Sequence, residues 1–259
     1  STTIDATKLT GALPAISGAA LTGVGVSGIT SAADATAIKI DSSERVAIGN
    51  TDAGNYNSTA DNVVVYDASN HAGITIANGA ANKVGAIYFA DGTSGTAEYE
   101  GYIEYNHNND NLNFGTNHAS RMLISSNGHV TMPNQPSFHV NDSPSKDAGG
   151  KLYNFGSVVH NIGSHYVNST GRFTAPVAGR YLFTAGIFAT QNTDTFVSVA
   201  VNGGGNWGGA HVYNNSGETS SGTLSVIANL AASDYVQLDC GYAVQGSAPR
   251  NFFSGMLIG

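Results

Sequence analysis

The twelve residues RFTAPVAGRYLF, at positions 172–183, decide the fold of the second half of this 259-residue chain. A proline and a glycine interrupt the stretch, and apolar side chains then occupy every second position, at Tyr181, Phe183, Ala185 and Ile187. Alternation with a period of two is typical of a strand that buries one face. The sequence therefore predicts a strand that begins close to Gly179.

The same alternation recurs on the C-terminal side of this strand, with mostly small or polar residues in between. It is found at Val197, Val199 and Val201, at Leu224, Val226, Ala228 and Leu230, and at Val236, Leu238 and Cys240. No competing helical stripe is present, so the pattern predicts an antiparallel β-sandwich or jelly roll. The spacing also places Cys240, the only cysteine, on the inward face of its strand.

The spacing of aromatic residues around this stretch resembles the central pattern of the C1q/tumour-necrosis-factor-like jelly rolls. The matching positions are Phe155, Asn161, Tyr166, Phe173, Gly179, Tyr181 and Phe183. Ala185 replaces the last aromatic residue of the pattern, and NFFSGMLIG at 251–259 is similar to the closing strand. The resemblance implies a homotrimer in which three jelly rolls pack around one axis, with exposed loops that bind a partner.

The sequence pattern in the middle of the chain predicts a series of short hairpins. Candidate turns are Asn78-Gly79, Asp91-Gly92 and Asn127-Gly128. Apolar side chains two or four residues apart predict strands at Ile74 and Ile76, at Tyr99, Ile103 and Tyr105, at Leu112 and Phe114, and at Met122 and Ile124. One segment also occurs twice, because IDSSERVAIGN at 40–50 is echoed by ISSNGHVTMPN at 124–134.

The first 37 residues contain a second kind of repeat. Leu9-Thr10-Gly11 returns as Leu21-Thr22-Gly23, and no aromatic residue or methionine occurs in this segment. One copy has too little apolar surface to offset the entropy of ordering it. Two interpretations remain open: a thin shaft formed by three interleaved copies, or a flexible tail.

Prolines at 133, 136 and 144 mark a boundary in a stretch that is poor in strand-forming residues. We therefore predict an all-β chain with three parts. These are shaft or attachment repeats at 1–37, a hairpin-rich middle module at 38–135, and a C1q-like jelly-roll knob at 136–259.

Two stretches of the middle region, 86–116 and 121–138, resemble modules that recur in virion fibre proteins of marine and cyanobacterial bacteriophages. LTGALPAISGAALTGV at 9–24 is similar to the thin shafts of those fibres. The resemblance implies a homotrimeric phage tail fibre, a component of the virion that is made in the host cytoplasm. Its implied partners are a tail or baseplate protein at the N-terminus and a host-surface glycan or outer-membrane protein at the knob.

The charge balance excludes several classes of partner. The chain has ten Lys and Arg and eighteen Asp and Glu, which gives a net charge of −8, and it contains no run of basic residues. Nucleic acid and anionic membranes are therefore poor partners. We also expect no signal peptide and no membrane insertion, because the N-terminus lacks a basic region followed by an apolar one.

Catalytic and metal chemistry find little support in the sequence. The richest acidic cluster is Glu98, Glu100 and Glu104, which alternation predicts on the solvated face of a single strand. A glycosidase pair would more naturally come from two strands at a set separation. None of the eight histidines has a metal-ligand spacing. We expect no enzyme activity, no metal and no cofactor.

The best candidate for a binding site is the segment Asn202–Ser221, predicted as a long Gly-rich loop between two strands. It holds Trp207, the only tryptophan, together with His211 and Tyr213. Rigid aromatic side chains among small polar residues are typical of recognition loops. The competing interpretation is that Trp207 fills a subunit interface. A second candidate loop, 242–251, offers Tyr242, Gln245 and Arg250.

Three functions follow, in order of preference. The first is adsorption of a phage fibre to the host cell through the knob. The second is a purely structural virion or capsid fibre without a receptor. The third is a spike that degrades polysaccharide.

Overall fold

A computed structural model describes residues 38–259, apart from 50, 148–149, 190–194, 213–219, 242–243 and 245–249. The predicted shaft at 1–37 lies outside the described residues. The chain divides into two compact units, Ser1–Ile76 and Ala77–Gly259. In the described part, no helix is long and apolar enough to span a membrane. The three-part division at 37 and 135 stays a prediction.

In the first unit, a small sheet is formed by β1 (Ile38–Ile40), β2 (Val46–Ile48) and β3 (Val63–Val65). β2 is central, pairing antiparallel with β1 and parallel with β3. One face of the sheet contributes to a small buried cluster of Ala47, Ala53 and Val64.

The second unit begins with a five-stranded antiparallel meander. Its strands are β4 (Val84–Phe89), β5 (Gly101–Asn106), β6 (Asn111–Thr116), β7 (Ala119–Ile124) and β8 (Val130–Thr131). The predicted strands at Leu112 and Phe114 and at Met122 and Ile124 are confirmed. The register places these four side chains on one face, because Leu112 pairs with Ile124 and Phe114 with Met122.

Two predictions for this region are wrong. Ile74 and Ile76 lie in no strand and are exposed, because no neighbouring strand pairs with them among the described residues. The three glutamates do not share a strand either. Glu98 lies in a 3-10 turn at Gly95–Tyr99, and only Glu104 belongs to β5. The cluster of glycine and small residues ahead of Glu98 favours a turn over extension of the strand.

The sequence echo between 40–50 and 124–134 is a structural repeat. Ile40 pairs with Val46 in one hairpin, and Ile124 pairs with Val130 in the other. The turns share their backbone hydrogen bonds, and the residue at the same place in each has a positive φ, 63° at Glu44 and 79° at Gly128. The two segments therefore fold into the same hairpin even though only one has glycine at the strained position.

The C-terminal part is a sandwich of two five-stranded sheets, with strand orders β12-β9-β20-β15-β18 and β13-β14-β19-β16-β17. All pairings in both sheets are antiparallel. The strand bounds are β9 Ser137–Asn141, β10 Ser145–Lys146, β11 Leu152–Tyr153, β12 Ser157–Ile162, β13 Tyr166–Val167, β14 Arg172–Thr174, β15 Gly179–Ala189, β16 Thr195–Val201, β17 Gly204–Val212, β18 Ser220–Leu230, β19 Tyr235–Cys240 and β20 Phe252–Leu257. β10 and β11 form a separate two-stranded pair.

Aromatic rings fill the space between the two sheets. The ring of Phe138 stacks on Tyr166 and Phe173, with centroids 4.6 and 5.2 Å away, and meets Phe253 edge-on at 4.9 Å. The alternating residues of β15 all face this core, as predicted: Tyr181, Phe183, Ala185 and Ile187 are at most 2% exposed. Close-packed rings of this kind dominate the energy of a β-sandwich core.

Asn161 has a structural role at its position in the aromatic pattern. Its side-chain amide donates to the Tyr166 carbonyl at 2.8 Å, and its carbonyl oxygen accepts from the Tyr166 backbone N–H at 3.1 Å. These bonds hold a tight turn in which Gly163 and Ser164 both have positive φ. Asn161 thereby fixes where Tyr166 enters the core.

The predicted loop Asn202–Ser221 is wrong over most of its length, because residues 204–212 form β17 and pair with β16. Asn202 and Gly203 form the turn between them, with φ of 53° and 74°. Asn-Gly is a strong hairpin signal, and the run of glycines concealed it. Glycine suits this strand, because a Cβ on Gly209 would lie 2.9 Å from the Val197 carbonyl oxygen.

Cys240 faces the core as the alternation predicts, with 1% of its surface exposed. Burial raises the pKa of its thiol to about 12. Since the thiolate is the reactive form, we expect native protein to resist maleimide and denatured protein to react at once. Mass spectrometry of the labelled protein measures this. Rapid labelling of the native protein would contradict the inward register of β19.

Replacing Asn161 with Ala removes both side-chain bonds that the N–H and the carbonyl of Tyr166 make in this part-buried turn. We expect the free energy of unfolding to fall by about 1–3 kcal/mol. Chemical denaturation of the two proteins measures the difference. Asn70→Ala is the control, since Asn70 is exposed outside any strand, and an equal loss there would contradict the role of Asn161.

Candidate functional site

Six strand ends lie together at one end of the sandwich, which we call the distal end. β15, β17 and β19 finish there, and β16, β18 and β20 begin there. The strand pairs that define it are Ala189 with Ser220, Thr195 with Val212, and Gly186 with Phe252. The topology thus brings together segments that are far apart in sequence.

The chain enters the sandwich at the opposite end. Ser137, the first residue of β9, pairs with Met256, whereas the last residue, Asn141, pairs with Phe252. The Gln135 side-chain amide also donates to the Leu257 carbonyl at 3.2 Å, at the entry end. The distal end therefore points away from the place where the β4–β8 sheet joins the sandwich.

Two predicted site residues, His211 and Arg250, lie near the distal end. His211 is exposed on β17, opposite Phe196 of β16. Arg250 is exposed just before β20, and its guanidinium carbon lies 4.5 Å from the centre of the Phe188 ring. This contact is a cation–π interaction.

Of the other four predicted residues, the structure describes only the backbone of one. The backbone of Trp207 belongs to β17, at an irregularity in its pairing with β16. Its side chain lies outside the described part of the structure, as do Tyr213, Tyr242 and Gln245. Their role in binding stays a prediction.

The structure adds distal residues that the sequence did not reveal. Lys151 and Asp239 form a half-buried ion pair with a distance of 2.6 Å between Nζ and Oδ2. Asn251 is fully buried, and its side-chain oxygen accepts from the Phe188 backbone N–H at 2.8 Å. This bond fixes the strand that carries the ring beneath Arg250. The partners are more than sixty residues apart in sequence, so no local pattern could have indicated them.

The chemistry available at the distal end is that of binding. The exposed guanidinium of Arg250 lies over the Phe188 ring, and the imidazole of His211 is exposed on β17; these groups suit polar or acidic surface groups. Within the described residues, no three His, Cys, Asp or Glu side chains lie close enough to hold a metal ion.

A second surface is the outer face of the sheet that contains β9, β15 and β20. A groove of about 220 Å³ there is lined by Ser137, Phe138, His139, His160, Leu182, Thr184, Ser254, Gly255 and Met256. Exposed apolar side chains continue the same face, among them Ile227 (60%) and Met256 (46%). An open apolar face of this kind suits contact with another protein surface.

Two histidines lie within this groove. Nδ1 of His139 lies 2.5 Å from the Ser254 hydroxyl, and its ring centre is 6.2 Å from that of His160. Burial, and then the neighbouring His160, lower the pKa of His139. Its neutral form is therefore favoured in the folded protein.

This lowered pKa predicts a pH dependence of stability. Above the ordinary histidine pKa, His139 makes its full contribution to the free energy of unfolding. As the pH drops below that value towards the lower pKa of the folded state, the contribution is lost, because the unfolded chain takes up the proton more readily. We expect the melting temperature of His139→Asn to depend less on pH between pH 7 and pH 5 than that of the unaltered protein. His129→Asn, at an exposed turn, should leave this pH dependence unchanged. Equal slopes in all three proteins would contradict the assignment to His139.

Comparison with solved structures gives a match to the globular domain of zebrafish complement 1qA protein. The sequences are 19% identical, and the alignment covers 48% of this chain and 98% of that one, with a TM-score of 0.37. A search of curated proteins found no match.

Comparison with family models matches residues 137–258 to the C1q domain. Domains of this family are non-enzymatic recognition or structural modules and typically assemble as trimers. The matched range spans both sheets of the sandwich, from the start of β9 to just beyond β20. Residues 137–258 of this chain are therefore a C1q-type jelly-roll domain.

Proposed function

We propose that this protein is a homotrimeric bacteriophage tail fibre whose C1q-type domain attaches the virion to the host cell surface. The observation that carries the proposal is the position of the distal end. The ends of β15, β17 and β19 and the starts of β16, β18 and β20 lie together at the end of the domain that is farthest from its entry point, where Arg250 and His211 are exposed. A recognition domain at the tip of a fibre presents this end to a cell.

The ligand that we propose is a host-surface glycan or an outer-membrane protein. Arg250 lies over the Phe188 ring, which holds a cation at the surface of a chain with a net charge of −8. A fixed cation beside an aromatic face suits acidic sugars and carboxylate side chains. We propose that the distal end binds this ligand without any covalent step.

The trimer is supported by the outer face of the β9–β15–β20 sheet, which exposes Ile227 and Met256 around the histidine groove. In a C1q-type trimer, neighbouring copies can cover an apolar sheet face of this kind. The phage origin is supported by the resemblance of 86–116 and 121–138 to phage fibre modules. In the virion, the N-terminal end binds a tail or baseplate protein.

The proposal is tested with two matched arginine substitutions. Arg250→Ala removes the cation above Phe188 at the distal end, and Arg172→Ala removes one that lies 4.1 Å from the Tyr235 ring centre at the entry end. We expect Arg250→Ala to weaken binding of the purified protein to host cells by about 30-fold, as for a hot-spot residue. Arg172→Ala should bind like the unaltered protein.

Candidate host strains are screened first with fluorescently labelled protein, and each variant is then titrated on a strain that binds. Light scattering and thermal melting check that both variants keep their assembly and fold. Equal binding by both variants would contradict the distal site. Failure to bind any permissive host would favour the purely structural fibre, and release of reducing sugar from host polysaccharide would favour the enzymatic spike.

A further inference from the structure

The sheet of β4–β8 carries an apolar face that spans all five strands. The pairing register places nine side chains on it: Ile87, Phe89, Ile103, Tyr105, Leu112, Phe114, Met122, Ile124 and Val130. The opposite face is more polar and includes Glu104, Asn113 and Ser120. Tyr88, Tyr102 and Leu123 share that opposite face, so apolar side chains are concentrated on the first face but not confined to it.

Nothing in the described part of a single chain buries this apolar face. None of the nine residues belongs to a buried cluster, and several are largely exposed, including Phe89 (60%) and Ile87 (49%). A meander with one apolar face is stable in water only when that face is covered. Contiguous exposed apolar surface of this extent marks an interaction site.

The small sheet of the first unit shows the same feature. Ile38, Ile40, Val46, Ile48, Val63 and Val65 share one face by register. Ile38 and Ile40 are 63% and 68% exposed, although Ala47 and Val64 on the other face are buried. In the β1–β3 sheet and in the β4–β8 sheet alike, the repeated hairpin therefore contributes to an apolar face that is largely exposed.

We propose that the apolar face of the β4–β8 sheet is buried against the same face of other copies of this chain. None of its nine paired positions carries a charge, which argues against a partner that binds through opposite charge. Its flat area, from the strand spacing and the rise per residue of its five strands, is about 420 Å². This is about half of the roughly 800 Å² per partner of a standard stable interface, so this contact would supplement the one between the C1q-type domains.

The segment at 1–37 is a poorer occupant of this face. It contains no Phe, Tyr, Trp or Met, so it offers only small and aliphatic side chains to cover a face that carries three aromatic rings. A second copy of the face offers the same aromatic and aliphatic side chains that are exposed on the first.

A contact between copies here is continuous with the trimer of the C1q-type domain, and it rests on that part of the proposed function. The sheet joins the domain through 134–136. The Asn134 side-chain amide donates to the Ser120 carbonyl of β7, and the next residue, Gln135, donates to the Leu257 carbonyl. A three-fold axis through the domains can extend along the sheets, and three sheets around it would each face the other two.

The inference is tested with cysteine variants of the full chain, because the native Cys240 is buried. Ile103→Cys places a thiol on the apolar face, and Tyr88→Cys, on β4, places one on the opposite face. We expect mild oxidation to link Ile103→Cys chains to one another by disulfides and to leave Tyr88→Cys chains unlinked. Labelling by a bulky monofunctional maleimide should be about tenfold slower or more at Ile103→Cys, because burial excludes the reagent.

Met122→Cys provides a second position on the same face, in case Ile103→Cys disturbs folding. Light scattering measures the mass of each variant. A trimer in which Ile103→Cys and Met122→Cys label rapidly without cross-links would overturn the inference and leave the trimer intact. A trimer in which both cysteine variants resist labelling but do not cross-link would show that another part of the same chain buries the apolar face. That result would also overturn the inference. A monomer would reject the trimeric fibre itself.

Discussion

The ring of Phe138 is held between Tyr166 and Phe173 and meets Phe253 edge-on, and the C-terminal sandwich depends on this contact. The four rings come from strands of both sheets, so they fix the sheets against each other and set the register of β9 and β20. Gly255 makes room for them, because a Cβ there would lie 2.6 Å from the rings of Phe138 and Phe183. Loss of this packing would release every strand whose end forms the candidate site.

The candidate binding site follows from that register. Because all pairings in the sandwich are antiparallel, the ends of alternate strands must meet at one end, and the entry of the chain at Ser137 fixes which end is distal. The chemistry of the site therefore belongs to the ends of rigid strands.

The sequence predicted the parts of this fold that depend on local alternation. β15, β16, β18 and β19 appear where apolar residues occur at every second position, since one face of each strand packs on the core. It failed for β17, whose glycines resemble a loop until the Asn202-Gly203 turn is recognised. It also could not show that Phe188 lies beneath Arg250 or that Lys151 meets Asp239, because such contacts depend on distant strands.

The position of β20 has a consequence for how the protein is made. β20 is the last strand of the sandwich to be synthesised, yet it lies between β9 and β15 in the middle of its sheet and supplies Phe253 to the core. Its partner β9 precedes it by more than a hundred residues, as the contact between His139 and Ser254 shows. β20 must therefore have emerged from the ribosome before the domain can close. A chain that stops short of β20 would lack the central strand of this sheet and could not complete the core.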